Sequence, residues 1–213
     1  NLSHPEDVQR ILDLFLSDPD AIRMANWQSA CHAFYAPKLD TDCRDKLRQL
    51  FDRLPHLKQN FPKSVFTAAS LNFPPNTVCR LHTDHLNRAV GWCAITAGGN
   101  FDYHKGGHLF LPQLGLILEF PPGATFLLPS ATLIHGNTPI QASESRFSFT
   151  QYMAGGLFRY VYQGFQTEPW FKATMHSRAA EAELERPTRW MSQISLFSLH
   201  NELHEDRMKA GIL

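Results

Sequence analysis

The chain has 213 residues, 43% hydrophobic and 19% charged, and its 20 basic and 20 acidic side chains cancel to a net charge of zero. That composition excludes a disordered polymer, and the charge balance leaves room for a local basic groove but not for the global positive field of a typical nucleic-acid binder. Its four cysteines (Cys31, Cys43, Cys79 and Cys93) make no CxxC pair and no secretory signal is visible, so reduced thiols of an intracellular protein are expected; no apolar run reaches the ~18 residues of a membrane-spanning helix.

Residues 1–63 are predicted helical. "SHPEDVQRILDLFL" sets Val8, Ile11, Leu12, Phe15 and Leu16 on one helical stripe, with Ser3 or Asp7 as the capping residue. "DTDCRDKLRQLFDRL" repeats the pattern with Leu47, Leu50, Phe51 and Leu54. Its other face mixes Arg44, Lys46, Arg48 and Arg53 with Asp40, Asp42, Asp45 and Asp52, which reads as a solvated surface.

Residues 64–163 change period. Strand-length apolar runs ("SVFTAASLNF", "TVCRLH", "AVGWCAIT", "GHLFL", "LGLILEF", "GATFLLP", "ATLIHG", "RFSFTQYM") alternate with turn chemistry in "AGGN", "HKGG", "FPPG" and "HGNTP". This predicts an antiparallel sandwich or barrel. Residues 164–213 return to helix in "MHSRAAEAELER" and "RWMSQISLFSLHNELHEDRMKA", separated by Pro187. The whole reads as a single α+β domain, a β-core flanked by N- and C-terminal helices.

Chemistry concentrates in the β segment. In "RLHTDHLN", an extended backbone would put His82 and Asp84 on one face with Thr83 opposite. An imidazole and a carboxylate so placed are two-thirds of a two-histidine, one-carboxylate metal site. His135 ends an apolar run just before a Gly-Asn-Thr-Pro turn, where a rigid backbone would hold its ring near an open approach. In "ESRFSFTQY", alternation puts Arg146, Ser148 and Thr150 on one face and Phe147, Phe149 and Gln151 on the other. An arginine beside a hydroxyl suits bidentate capture of a carboxylate.

In order and spacing, H-x-D, H and R-x-S over residues 64–163 resemble the Fe(II)/2-oxoglutarate dioxygenase superfamily. More narrowly, H-x-D-x-x-N, G-x-F-D, G-G, P-P-G, H-G-N and R-x-S resemble the fungal TET/JBP-like DNA base dioxygenases. The resemblance implies a double-stranded β-helix, a cupin-like jelly roll, with His82, Asp84 and His135 as iron ligands and catalytic centre. It implies that Arg146 and Ser148 hold the distal carboxylate of 2-oxoglutarate. Asn72 would bond the other carboxylate or cap a turn before Pro74; Arg80 would contact the cosubstrate or a phosphate.

The implied reaction consumes O2, releases succinate and CO2, and oxidises methyl groups on 5-methylcytosine or N6-methyladenine in DNA. Such a base must be flipped from the duplex to reach the metal. Candidate contacts to it are Asn87, His85, Asp102 as acceptor from an exocyclic amine, and Phe101 or Tyr103 as stacking surface, although an aromatic in a β-loop also serves as a core plug. Arg80, Arg88, Lys105, Arg159, Lys58 and Lys63 are the cations available for phosphates, too dispersed for tight binding. A monomer acting in the nucleus, with no membrane partner, completes this expectation. Two rivals stand beside it: the same chemistry on a protein side chain or small molecule, and a cupin-like binding module without turnover.

Overall fold

The computed structural model describes residues 4–213: helices before and after a core of antiparallel strands. The first three helices are α1 (Glu6–Ser17), α2 (Pro19–Tyr35) and α3 (Pro37–Arg53). Among the described residues no side chain caps α1; Asp7 lies in its first turn, where a negative charge suits the helix N-terminus, and Ser3 is outside the described residues. Of the predicted stripe, Phe15 and Leu16 pack inward while Val8 and Ile11 are exposed. Asp18 starts α2 by accepting the backbone N–H groups of Asp20 and Ala21, both at 2.9 Å, and Pro19 sits where a missing N–H costs nothing.

The buried stripe of α2 is Ala21, Ala25, Gln28, Ser29, His32 and Ala33. Its period is helical, but its residues are small or polar, so apolar spacing alone passes over it. α3 buries Leu39, Cys43, Leu47 and Leu50. Its charged face is only partly the solvated surface expected. Asp40 is buried, accepting from Arg44 Nε at 2.6 Å and facing His32 Nδ1 at 3.1 Å, and Asp42 accepts from Arg88 at 2.6 Å. The ion pairs left on the surface, such as Arg48 with Asp45, contribute little.

Two antiparallel sheets follow. One is four-stranded, with β1 (Ala68–Asn72), β2 (Cys93–Asn100), β5 (Thr125–Leu128) and β7 (Ser145–Tyr152) in the order β1-β7-β2-β5. The other is three-stranded, with β3 (Leu109–Leu111), β4 (Leu116–Leu118) and β6 (Gly136–Asn137) in the order β4-β3-β6. Cys93 and Ala97 from the first sheet meet Leu109, Leu111 and Phe120, forming the core between the sheets. The opposite face of the larger sheet presents Ala94 and Phe149 to the helices, where Phe149 packs edge-on against Phe15 and Phe61. Truncating a fully buried phenylalanine of this kind costs about 3–5 kcal/mol. Alternation along β7 is as expected: Arg146 and Ser148 face the inter-sheet core, while Phe149 and Gln151 bury on their own terms.

Two predicted strands are not regular strands. Residues 77–82 carry no ladder and join the smaller sheet through a single antiparallel bridge, His82 to His135. A side chain stands in for the missing ladder: Asn137 Oδ1 accepts the Cys79 N–H at 2.7 Å and its Nδ2 donates to the Thr77 carbonyl at 3.0 Å. Residues 131–135 turn instead of extending, because the N–H groups of Thr132 and Leu133 both return to the Pro129 carbonyl.

The C-terminal helices are α4 (Gly155–Tyr162), α5 (Glu168–Thr174), α6 (His176–Glu185), α7 (Arg189–Ile194) and α8 (Leu203–Lys209). Helix thus resumes before residue 164, the boundary expected from the sequence. The helical stretch expected over 189–210 is interrupted at 195–202. Leu196 and Phe197 leave the helical path to pack beside α3, and Phe197 stacks on Trp92 with ring centroids 6.1 Å apart. All four cysteines are free, and among the described residues no helix is long and apolar enough to cross a membrane.

Candidate metal centre

His82, Asp84 and His135 converge. Each offers one ligand atom, and the three atoms lie within 4.8 Å of one another. His82 Nε2 is 3.4 Å from Asp84 Oδ1, His135 Nε2 is 4.0 Å from Asp84 Oδ2, and the two rings are 4.4 Å apart. The bridge between residues 82 and 135 sets this spacing through paired N–H to carbonyl bonds, each 3.0 Å. The Asp84 N–H donates to the Ser130 carbonyl at 2.9 Å, fixing the carboxylate's origin.

Both histidines are orientated in the same way. His82 Nδ1 lies 2.7 Å from the Arg80 carbonyl, and His135 Nδ1 lies 2.9 Å from the Leu133 carbonyl. A carbonyl only accepts, so each Nδ1 carries a proton, and in the neutral ring each Nε2 presents its lone pair toward Asp84. Metal-binding histidines are held in this manner. Burial pushes the His135 pKa down, which keeps that ring neutral and able to ligate. His82 is exposed, Asp84 half-buried and His135 buried, so the group opens toward solvent on the His82 side.

The H-G-N motif has a physical reading here. A Cβ on Gly136 would come within 2.8 Å of the Cys79 carbonyl, so the backbone of residues 79–81 can press against β6 only if this position is glycine. Asn137 then secures that same segment. The motif therefore holds the two histidine-bearing strands of chain together.

Arg146 is 2% exposed. Its guanidinium lies between two rings, 5.9 Å from the Phe101 centroid and 5.7 Å from the Phe120 centroid. Gly107, at φ 71°, leaves space beside its stem, where a Cβ would crowd both Phe101 and Arg146 Cδ. Nη1 donates to the Thr77 carbonyl at 3.3 Å, while Nε is buried with no partner. Among the described residues no carboxylate pairs with it. An arginine so buried stays charged, and an unpaired buried charge is expensive. The donor set fits an incoming carboxylate. Cys79 lies within electrostatic reach of both Arg146 and Asp84, linking the cation to the triad; burial chiefly raises its pKa, and Asp84 adds to that while Arg146 opposes it.

The other candidate residues are placed as follows. Ser148 is buried and its Oγ accepts from Asn72 Nδ2 at 3.0 Å, so these two form a pair across β1 and β7. The Arg80 side chain is exposed; its carbonyl, not its guanidinium, serves the site. Asn87 Nδ2 lies 3.2 Å from Asp84 Oδ2 and 3.2 Å from Ser130 Oγ. Phe101 is buried against Arg146, a core plug and not an open stacking surface. Tyr103 is half-buried and tilts over His104, while Asp102 is engaged by Lys105 at 2.9 Å. His85 is exposed in the turn after Asp84.

Sequence reasoning missed Ser130, Phe120 and Asn137. The H-G-N motif could have signalled Asn137; nothing local marks the other two. It also counted Arg88 as a phosphate-binding cation. The side chain instead turns inward, donating to Asp42 and to Cys43 Sγ at 3.0 Å, reaching Gln193 at 3.4 Å, and lying 4.7 Å above the Phe158 ring.

No protein-family profile and no curated protein sequence matches the chain. Solved structures do. The chain is similar to NgTET1, solved in complex with 5mC DNA, at 14% identity and TM-score 0.47, over 70% of this chain and 54% of that one. It is also similar to the viral collagen prolyl hydroxylase vCPH from Paramecium Bursaria Chlorella virus-1, solved with 2OG, at 13% identity and TM-score 0.30, over 51% of this chain and 68% of that one. The chain thus spans about half the length of NgTET1. With both scores below 0.5, the functional reading rests on the side chains described above.

Proposed function

We propose that this chain is an Fe(II)- and 2-oxoglutarate-dependent dioxygenase that oxidises methyl groups on DNA bases, 5-methylcytosine or N6-methyladenine, in the nucleus. The observation that carries it is the pairing of two unsatisfied sites in one core: a His-Asp-His triad with both Nε2 lone pairs presented, and a buried Arg146 with an unpartnered Nε. The sheet order β1-β7-β2-β5 over β4-β3-β6, extended by the irregular residues 77–82, accords with a double-stranded β-helix.

Bound together, iron and 2-oxoglutarate would reduce O2, yielding succinate and CO2 and converting a substrate C–H to C–OH. His82, Asp84 and His135 would hold the iron. Arg146 would meet the cosubstrate's distal carboxylate, helped by the Ser148 hydroxyl proton, which is free to donate because its oxygen is what Asn72 engages. Phe101 and Phe120 keep water from that ion pair and so strengthen it.

The methylated-base substrate is supported by the run of motifs from H-x-D-x-x-N to R-x-S, with His85, Asp102 and Tyr103 as the remaining candidates to meet a flipped base. Incubating the chain with Fe(II), 2-oxoglutarate and a panel of methylated oligonucleotides, read by mass spectrometry, tests it. Conversion of a methyl group is expected. Succinate formation without conversion of any methylated base would favour the second reading, a hydroxylase of a protein side chain or small molecule. One observation leans that way: Arg88, Lys105 and Arg159 are all engaged by acidic partners, and Leu81 and Leu86, which flank the His82–Asp84 segment, are exposed.

A further inference from the structure

We infer that Asn87, backed by Ser130, positions the metal ligand Asp84, with neither of its amide hydrogens left to read the substrate; this rests on the metal-centre reading proposed above. A carboxamide nitrogen carries two hydrogens. In Asn87 both are directed inward, one to Asp84 Oδ2 and one to Ser130 Oγ, each at 3.2 Å. No donor remains for a base edge. Ser130 is itself buried, and its carbonyl accepts the Asp84 N–H at 2.9 Å. The Asn87 N–H closes the turn onto the Asp84 carbonyl at 2.8 Å. Asp84 is therefore gripped at its amide, its carbonyl and one carboxylate oxygen by the same two residues.

The grip has a directional effect. With Oδ2 held, the carboxylate cannot rotate freely about its Cβ–Cγ bond, and Oδ1, 3.4 Å from His82 Nε2, is the oxygen left to offer an ion. Nor can Asn87 swing outward easily. Its backbone bridges Ala154, the Gly155 N–H donates to the Leu86 carbonyl at 2.9 Å, and a Cβ on Gly155 would lie 3.0 Å from that oxygen. The packing of residues 86–87 against 154–155 is tight, and a side chain at Gly155 would have to push that backbone aside by a few tenths of an ångström.

The test reads metal affinity without substrate or cosubstrate. Mn(II) is titrated calorimetrically into Asn87→Leu, which keeps the volume and removes both donors, into Asn87→Ala and into Ser130→Ala, with the Tm of each metal-free protein measured alongside. Both Asn87 variants are expected to weaken Mn(II) binding about 10–100-fold, the usual cost of losing a group that orients a ligand. The metal-free Tm should move by less than about 4 °C. Ser130→Ala should give a smaller loss that is not additive with Asn87→Leu. The Co(II) absorption spectrum should change in the same variants. Wild-type Mn(II) affinity in both Asn87 variants overturns the assignment, and overturns it in favour of substrate contact if the KM for a methylated oligonucleotide rises at the same time. A wild-type chain that turns over no methylated base but shows these Mn(II) losses would sink the base substrate and leave the positioning role standing.

Discussion

Gln151 and Arg146 lie on the same strand, are 1% and 2% exposed, and live opposite lives. Gln151 has every bond it needs: its Nε2 donates to the Ala25 carbonyl at 3.0 Å and to Gln28 Oε1 at 2.9 Å, and its Oε1 accepts from Ser64 Oγ at 2.8 Å. Gln28 continues the network to Thr96 and to the Phe149 carbonyl. Arg146 has one long bond and an orphaned Nε. Buried polar groups are nearly always satisfied within the protein. The satisfied network on the helix side is architecture; the unsatisfied cation between the sheets is a place kept for something that arrives.

The sharpest way to break that contrast is at the triad. His82→Ala or Asp84→Ala should abolish succinate production and Mn(II) binding while the metal-free fold persists, checked by turnover assay and circular dichroism. Full activity in either would refute the ligand assignment. Next comes Arg146→Met. Removing one partner of a buried charge pair costs about 2–5 kcal/mol, so 2-oxoglutarate affinity should fall on the order of 100-fold. The same change should leave the empty protein no less stable, since it deletes an uncompensated charge. Urea denaturation alongside a binding titration measures both.

Gln151→Leu should do the reverse. Gln28 and Ser64 lose their partner, at about 1–3 kcal/mol for the buried groups left unpaired, with 2-oxoglutarate affinity unchanged. A smaller effect is the pH dependence of the metal-free protein. Burial keeps His135 neutral in the fold, whereas in the unfolded chain it takes up a proton near pH 6.5. The unfolded state then binds more protons, so stability should fall as pH drops through that value, and the fall should be shallower in His135→Gln. The smallest perturbation is alkylation. Cys43 and Cys93, with pKa pushed up to about 12 by burial, should resist iodoacetamide at neutral pH while the less buried Cys31 and Cys79 label slowly.

Much of the site is legible in the sequence because each of its groups is tied to a local period or turn. Alternation puts Arg146 and Ser148 on one face of β7, and a glycine turn marks the end that carries His135. The convergence of His82 with Asp84 is legible too, but for a different reason from the one alternation suggests. The segment is not a strand; Asn137 and the 82–135 bridge hold it extended. Helix α2 lies within the segment predicted helical, but its buried face is hidden because that stripe is alanine, serine, amide and histidine, meeting a sheet through hydrogen bonds as well as apolar contact. Ser130 is hidden because its role exists only once residues far apart in the chain have met. Asp40 and Asp42 look like surface charges because the contacts that bury them, apart from the local Arg44 and Lys46, come from elsewhere: Asp42 finds Arg88 across 46 positions of sequence.

That last contact carries a consequence for anyone who would pare this molecule to its two sheets. Arg88 sits one residue beyond Asn87 and is riveted to α3, to Phe158 in α4 and to Gln193 in α7. The outer helices act as a vise on the turn that follows Asp84, the proposed carboxylate ligand. A trimmed chain lacking residues 187–213 would forfeit one jaw, and slackness introduced at the periphery would be felt first as a looser hold on iron.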